Sequence, residues 1–129
     1  MNAEKNDMVL IQLDRPRELR FSTKALKEYS ALTNTTMMDL TESLYSPANQ
    51  MSAAFILLKH DSIRCGERVL TQNEVEDLLD KHVKPAMLYY LLNLALDLAF
   101  KDEDVEADMK ARKEAQTAPP LAAGTGVSS

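Results

Sequence analysis

Residues 19 to 32, Leu-Arg-Phe-Ser-Thr-Lys-Ala-Leu-Lys-Glu-Tyr-Ser-Ala-Leu, change their apolar spacing with no loop between. Leu19 and Phe21 alternate as a strand does; Leu26, Tyr29 and Leu32 then recur as on a helix. Ser22 or Thr23 stands at the join and can accept a hydrogen bond from the first free helical N–H groups. Upstream, Val9, Ile11 and Leu13 alternate with Leu10, Gln12 and Asp14. Asp14-Arg15-Pro16-Arg17 supplies turn residues, with Pro setting its own φ. The spacing predicts a β-hairpin over 8–21 that feeds straight into a helix.

Four more helices are expected beyond it. Thr33-Asn34-Thr35-Thr36 reads as a turn and a hydroxyl cap, followed by a short amphipathic helix on Met37, Leu40, Thr41 and Leu44. Asp39 in its first turn suits the helix dipole. Ser46-Pro47 restarts the chain, since Ser caps and Pro favours the first helical position. Met51, Ala54, Phe55 and Leu58 follow i, i+3, i+4, i+7 spacing, widened by Ile56 and Leu57, and this predicts the central core helix. His60 to Val69, with Gly66 and several charges, reads as a loop. Thr71-Gln72-Asn73-Glu74 is a capping box before Val75, Leu78, Leu79 and His82.

The last helix starts near Pro85. Asn93 and Asp97 share a polar stripe with Tyr90 and Lys101, while Met87, Leu88, Leu91, Leu92, Leu94, Ala95, Leu96, Leu98 and Ala99 fill the remainder. These cover roughly 200° of the circumference, about twice the arc that a surface helix buries. Met87 to Phe100 is too short to span a bilayer, and Asn93 and Asp97 interrupt it. Either the helix lies deep in its own domain or part of it meets another chain. Glu106 with Lys110 and Asp108 with Arg112 are favourable i, i+4 pairs, so the helix is expected to continue in solvent. From Thr117, with Pro119-Pro120, no apolar periodicity remains; residues 1–116 read as one domain and 117–129 as a disordered tail.

At 129 residues, with three Gly and five Pro, the chain suits one mainly helical α+β domain rather than an all-β fold. A net charge of −5 opposes general nucleic-acid binding. Arg15, Arg17, Arg20, Lys24 and Lys27 form a local basic cluster, read as the solvated outer face of hairpin and helix. Cys65 is the single cysteine, so no intramolecular disulfide can form, and the polar amino terminus lacks a signal peptide's apolar run. These features predict a soluble cytoplasmic protein. His60 and His82 lie on different elements with Cys65 between them, without the paired spacing of a metal site. His60 reads as a polar residue at a helix end and His82 as a partly buried helix-face residue. The acidic clusters Glu74-Glu76-Asp77-Asp80 and Asp102-Glu103-Asp104 lack the Gly and alternating donors of a calcium loop. Met37, Met38, Met51 and Met87 read as core filler ahead of adaptable contact surface. No catalytic constellation and no cofactor motif is present, so a non-enzymatic protein is expected.

Two blocks carry a resemblance. The first is Phe21-Ser-Thr-Lys-Ala-Leu-Lys-Glu-Tyr29 with Leu32-Thr-Asn-Thr-Thr-Met-Met-Asp-Leu40; the second is Ala54-Phe-Ile-Leu-Leu-Lys-His-Asp61 and, after a gap, Leu70 to Asp80. In order and separation they resemble tail assembly chaperones of long, non-contractile-tailed phages, over about two-thirds of the chain. Asn34 stands where that family often has Gly, and no Trp follows Leu57-Leu58; Asn tolerates the left-handed backbone. The resemblance implies a helper in the host cytoplasm that holds the tape measure protein while the tail tube protein polymerises, with self-association and often a frameshifted longer product.

Reversible masking of apolar client helix would be the mechanism. For that surface the expectation is Leu88, Leu92, Leu96 and Ala99, with Leu91, Leu94 and Leu98 facing the core. The alternative is a small DNA-binding accessory or regulatory protein using helices 71–82 and 85–100, against which stand the acidic balance and the lack of a basic recognition helix.

Overall fold

The computed structural model describes residues 8–101 and 110–112. Its elements are β1 (Leu10–Gln12), β2 (Pro16–Glu18), α1 (Thr23–Thr33), a 3-10 turn (Met37–Asp39), α2 (Leu40–Ser43), α3 (Pro47–Arg64), α4 (Gln72–His82) and α5 (Pro85–Phe100). The architecture is α+β and mostly α: a two-stranded antiparallel hairpin followed by helices grouped around α3. The expected tail, 117–129, and the pairs begun by Glu106 and Asp108 lie outside the described residues.

The hairpin pairs Leu10 with Glu18, Ile11 with Arg17 and Gln12 with Pro16, leaving Leu13, Asp14 and Arg15 as the loop. The turn therefore falls one residue earlier than expected. Pro16 opens β2 instead of shaping the loop, and at the start of an edge strand its missing N–H breaks no ladder bond. Val9, Ile11, Leu13, Leu19 and Phe21 all point inward and are buried.

Ser22 caps α1, its Oγ accepting from the Ala25 N–H at 3.2 Å. Asn34 ends that helix in the left-handed region (φ 54°), a conformation its short polar side chain tolerates. The buried face is Ala25 and Tyr29 with Leu26 half-buried; Leu32, expected inside, is 62% exposed. Ala25 accounts for the shift, because its small side chain allows α1 to sit close on α3. Tyr29 meets the Phe21 ring edge-on at 6.0 Å and shares a 2.7 Å hydrogen bond with Ser43 Oγ, which satisfies its buried hydroxyl.

The expected short amphipathic helix is partly a 3-10 turn. Leu40 and Leu44 are buried, while Met37 and Met38 project outward. Ser46 and Pro47 start α3 as expected, Ser46 Oγ accepting from the Asn49 N–H at 3.4 Å. Ala53, Ala54, Ile56, Leu57 and Leu58 are buried, each large aliphatic side chain contributing about 1.5–3 kcal/mol by its burial.

α3 does not stop at His60. It runs to Arg64 before Cys65 and Gly66 (φ 68°) turn the chain, so the loop expected from residue 60 begins later. The extra turn holds because Asp61 and Ser62, buried, face cations from the hairpin.

The capping box at α4 forms in both directions: Glu74 N–H donates to Thr71 Oγ1 at 3.1 Å, and Thr71 N–H donates to Glu74 Oε1 at 2.8 Å. Arg68 grips the same carboxylate with both terminal nitrogens at 2.9 Å, and holds Glu74 down at about 2. Val75 and Leu79 are buried on α3's side, whereas His82 is exposed. His82 was expected half-buried; it lies in the final turn, past the packed face, where a cation suits the helix C-terminus.

α4 and α5 meet at 113° through Val83 and Lys84. No single helix among the described residues is long and apolar enough to cross a membrane. α5 ends at Phe100, Lys101 turning to an extended backbone (φ −104°, ψ 95°), so it does not continue unbroken into the charged stretch as expected.

Candidate functional site

α5 packs on α3 through Leu88, Leu92, Ala95 and Leu96; Leu92 is 0% exposed. This overturns the expected facing. Leu88, Leu92 and Leu96 belong to the core, while Leu91, Leu94 and Leu98, expected inside, pack against its edge and stay half-exposed. The polar stripe explains why. At about 100° per residue, Asn93, Asp97 and Tyr90 lie roughly 150° from the observed buried arc, but only about 90° from an arc centred on Leu91, Leu94 and Leu98. Burying Leu88, Leu92 and Leu96 therefore carries the polar groups furthest from the core. Ala95 in that arc also lets the two helices approach closely.

The remaining apolar arc is Met87, Leu91, Leu94 and Leu98, spaced four, three and four residues apart. That is the spacing by which one helix meets another along a seam. Met87 is 50% exposed, and among the described residues no element covers the whole stripe.

The lower end of the stripe enters a furrow. Its first part, about 580 Å³, lies between the base of the hairpin and the end of α5, walled by Met8, Leu19, Phe21, Leu98 and Ala99. Its second part, about 470 Å³, continues beside α1, walled by Phe21, Leu26, Met37, Leu40, Ala99 and Phe100. Phe21, Thr23 and Ala99 belong to both. Ala99 is thus the one member of the expected quartet that stands at the surface. Met8, Met37, Met38 and Met87 are all exposed, and only Met51 is half-buried, so the reading of these methionines as core filler fails for all but one of those it covered. Flexible, polarisable thioethers on a surface adapt to partners of varied shape.

Elsewhere the structure gathers a group that sequence reasoning missed. Arg17, 3% exposed, grips Asp14 with Nε and Nη2 at 2.8 and 2.9 Å and directs Nη1 to Ser62 Oγ (3.1 Å) and Asp61 Oδ2 (3.3 Å). Arg15 Nη2 donates to the same Asp61 oxygen at 2.6 Å and to Glu67 Oε1 at 2.7 Å. The Glu18 N–H donates to Asp61 Oδ1 at 3.0 Å. The Arg17 side-chain hydrogen bonds hold Asp14 at about 2, and both guanidiniums are raised above their ordinary range by their carboxylate partners.

Two periodicities carried the signal. Arg17 is in phase with Leu19 and Phe21 on the inward side of β2, and Asp61 and Ser62 are in phase with Leu58 on α3. An inward arginine needs an inward carboxylate. The basic cluster read as a solvated face accordingly loses Arg15 and Arg17 to internal pairing and retains Arg20, Lys24 and Lys27, which are exposed.

His60 is half-buried on α3, its Nε2 3.4 Å from Glu28 Oε1, while Cys65 is exposed at the end of that helix. Among the described residues no three His, Cys, Asp or Glu side chains could converge on a metal ion. What the surface offers is shape and apolar contact area. No protein family model, curated protein or solved structure matches this chain.

Proposed function

We propose that this chain is a non-enzymatic tail assembly chaperone of the type serving long, non-contractile phage tails, working in the host cytoplasm. It binds an apolar helical segment of the tape measure protein and releases it as tail tube protein polymerises. The observation that carries this reading is the half-exposed stripe Met87, Leu91, Leu94 and Leu98 running into a furrow flanked by Met8 and Met37. A monomer gains nothing by leaving such a seam in water, since each half-exposed Leu forgoes roughly 1 kcal/mol of burial. A client helix laid along it recovers that energy. Exchange stays easy because no covalent bond holds the client, so an incoming subunit with a larger apolar face can displace it. The likeness of the Phe21–Leu40, Ala54–Asp61 and Leu70–Asp80 blocks to the tail chaperones supports the choice of client, and the seam also suits pairing between copies of this chain.

Co-expression with the tape measure protein tests the reading. Leu91→Asp with Leu94→Asp should abolish co-purification while the far-ultraviolet circular dichroism stays native. Undiminished co-purification would move the binding surface elsewhere.

A further inference from the structure

We propose that the furrow beside the end of α5 takes an apolar helix flanked by acidic residues, so that client choice is made by charge as well as by hydrophobic contact. This deepens the chaperone reading and rests on it for the existence of a client.

The argument starts from the charged groups that line the furrow. They are Glu18, Arg20 and Lys27. Glu18 is already matched, its Oε1 lying 3.5 Å from Arg64 Nη2. Arg20 and Lys27 are exposed and, among the described residues, have no carboxylate partner. Lys24, between them on the first turns of α1, is exposed and equally unmatched among the described residues.

A chain with a formal charge of −5 thus presents exposed cations, Arg20 and Lys27, at the edge of this furrow. The contrast with Arg15 and Arg17 is informative. Those two cations are consumed by Asp14, Asp61 and Glu67, whereas the furrow's cations are left available.

The floor, Phe21, Leu26, Leu40, Ala99 and Phe100, is suited to aliphatic side chains. An entering segment with Lys or Arg beside its apolar face would set like charges against Arg20 and Lys27. One with Asp or Glu would complete two ion pairs at the rim. Such exposed pairs contribute modestly to affinity and more to selecting the partner and its orientation.

Two synthetic amphipathic helical peptides provide the probe, sharing one Leu/Met face and differing only in Glu or Lys flanks. Titrated by fluorescence anisotropy onto the full chain at low salt, the Glu peptide should bind about tenfold more tightly. The gap should narrow as ionic strength rises past about 0.1 M. Arg20→Glu with Lys27→Glu, both exposed and checked by circular dichroism, should reverse the order.

Equal binding of the two peptides, or a preference that survives charge reversal, would overturn the proposal. If either occurs while the Leu91→Asp, Leu94→Asp variant still loses the tape measure protein, charge selection fails and the chaperone reading stands. If neither peptide binds and that variant keeps its client, both fail. A dimer in light scattering that Ala99→Glu dissolves would assign the furrow to a second copy and likewise overturn the proposal.

Discussion

The inner face of the hairpin and the outer face of α5 depart from simple amphipathic patterning in opposite ways. One buries charge: Arg17 and Asp61 are each 3% exposed. The other leaves aliphatic side chains half-exposed at Leu91, Leu94 and Leu98. Each departure has a different consequence. The buried ions are satisfied by partners at fixed distances, so they specify how the hairpin sits on the end of α3. The half-exposed aliphatics rest on the core along one edge only and make no directional demand, so their open side is free to meet a partner that varies. The ion cluster sets the frame against which the furrow at Phe21 and Ala99 is shaped.

The contrast breaks most readily at its apolar core. Leu92→Asp places a carboxylate at a fully buried position of the core, and the protein should lose on the order of 4 kcal/mol or fail to fold. Leu94→Asp, two residues along and only half-buried, should cost about 1.5 kcal/mol in chemical denaturation. Equal losses at both positions would erase the distinction between inner and outer face.

Next in size is the ion cluster. Arg17→Met leaves the Asp61 carboxylate with Arg15 alone and removes the grip on Asp14, which should reduce stability by about 3 kcal/mol in urea. Asp61→Asn with Arg17→Met should recover part of that loss, since removing both charges leaves no uncompensated ion.

A smaller effect concerns pH. Asp14 is held at about 2 when folded against 3.8 when free, so its contribution is present above pH 4 and lost as pH falls toward 2. Its side chain is 43% exposed, and solvent screening leaves this contribution at about 1 kcal/mol. Asp14→Asn should flatten that limb of the acid-unfolding curve without changing the midpoint's dependence on pH near neutrality. Smallest of all, Thr71→Ala removes one half of the α4 capping box and should cost about 1 kcal/mol or less, with no effect on client binding.

Much of the fold was legible because local rules carry it. Ser22, Ser46 and Thr71 each mark a helix start, and the alternation of Val9, Ile11 and Leu13 marks the strand, all without help from distant residues. The failures share a cause: each depended on which elements face one another. Excess apolar surface on α5 is readable in the sequence, but which side turns inward is set by carrying Asn93 and Asp97 away from α3. Arg17 was readable as an in-phase inward residue, yet its justification lay more than forty positions away, at Asp61 and Ser62. The methionines failed likewise: nothing local distinguishes exposed Met37 and Met38 from half-buried Met51.

Thiol labelling tests the central claim most directly. In a Cys65→Ser background, cysteines placed singly at Leu94 and Leu92 would be reacted with a maleimide, with and without the tape measure segment bound. Position 94 should react rapidly in the free protein and become protected in the complex, while position 92 stays unreactive in both. Rapid labelling at 92, or labelling at 94 that the client leaves unchanged, would contradict the account.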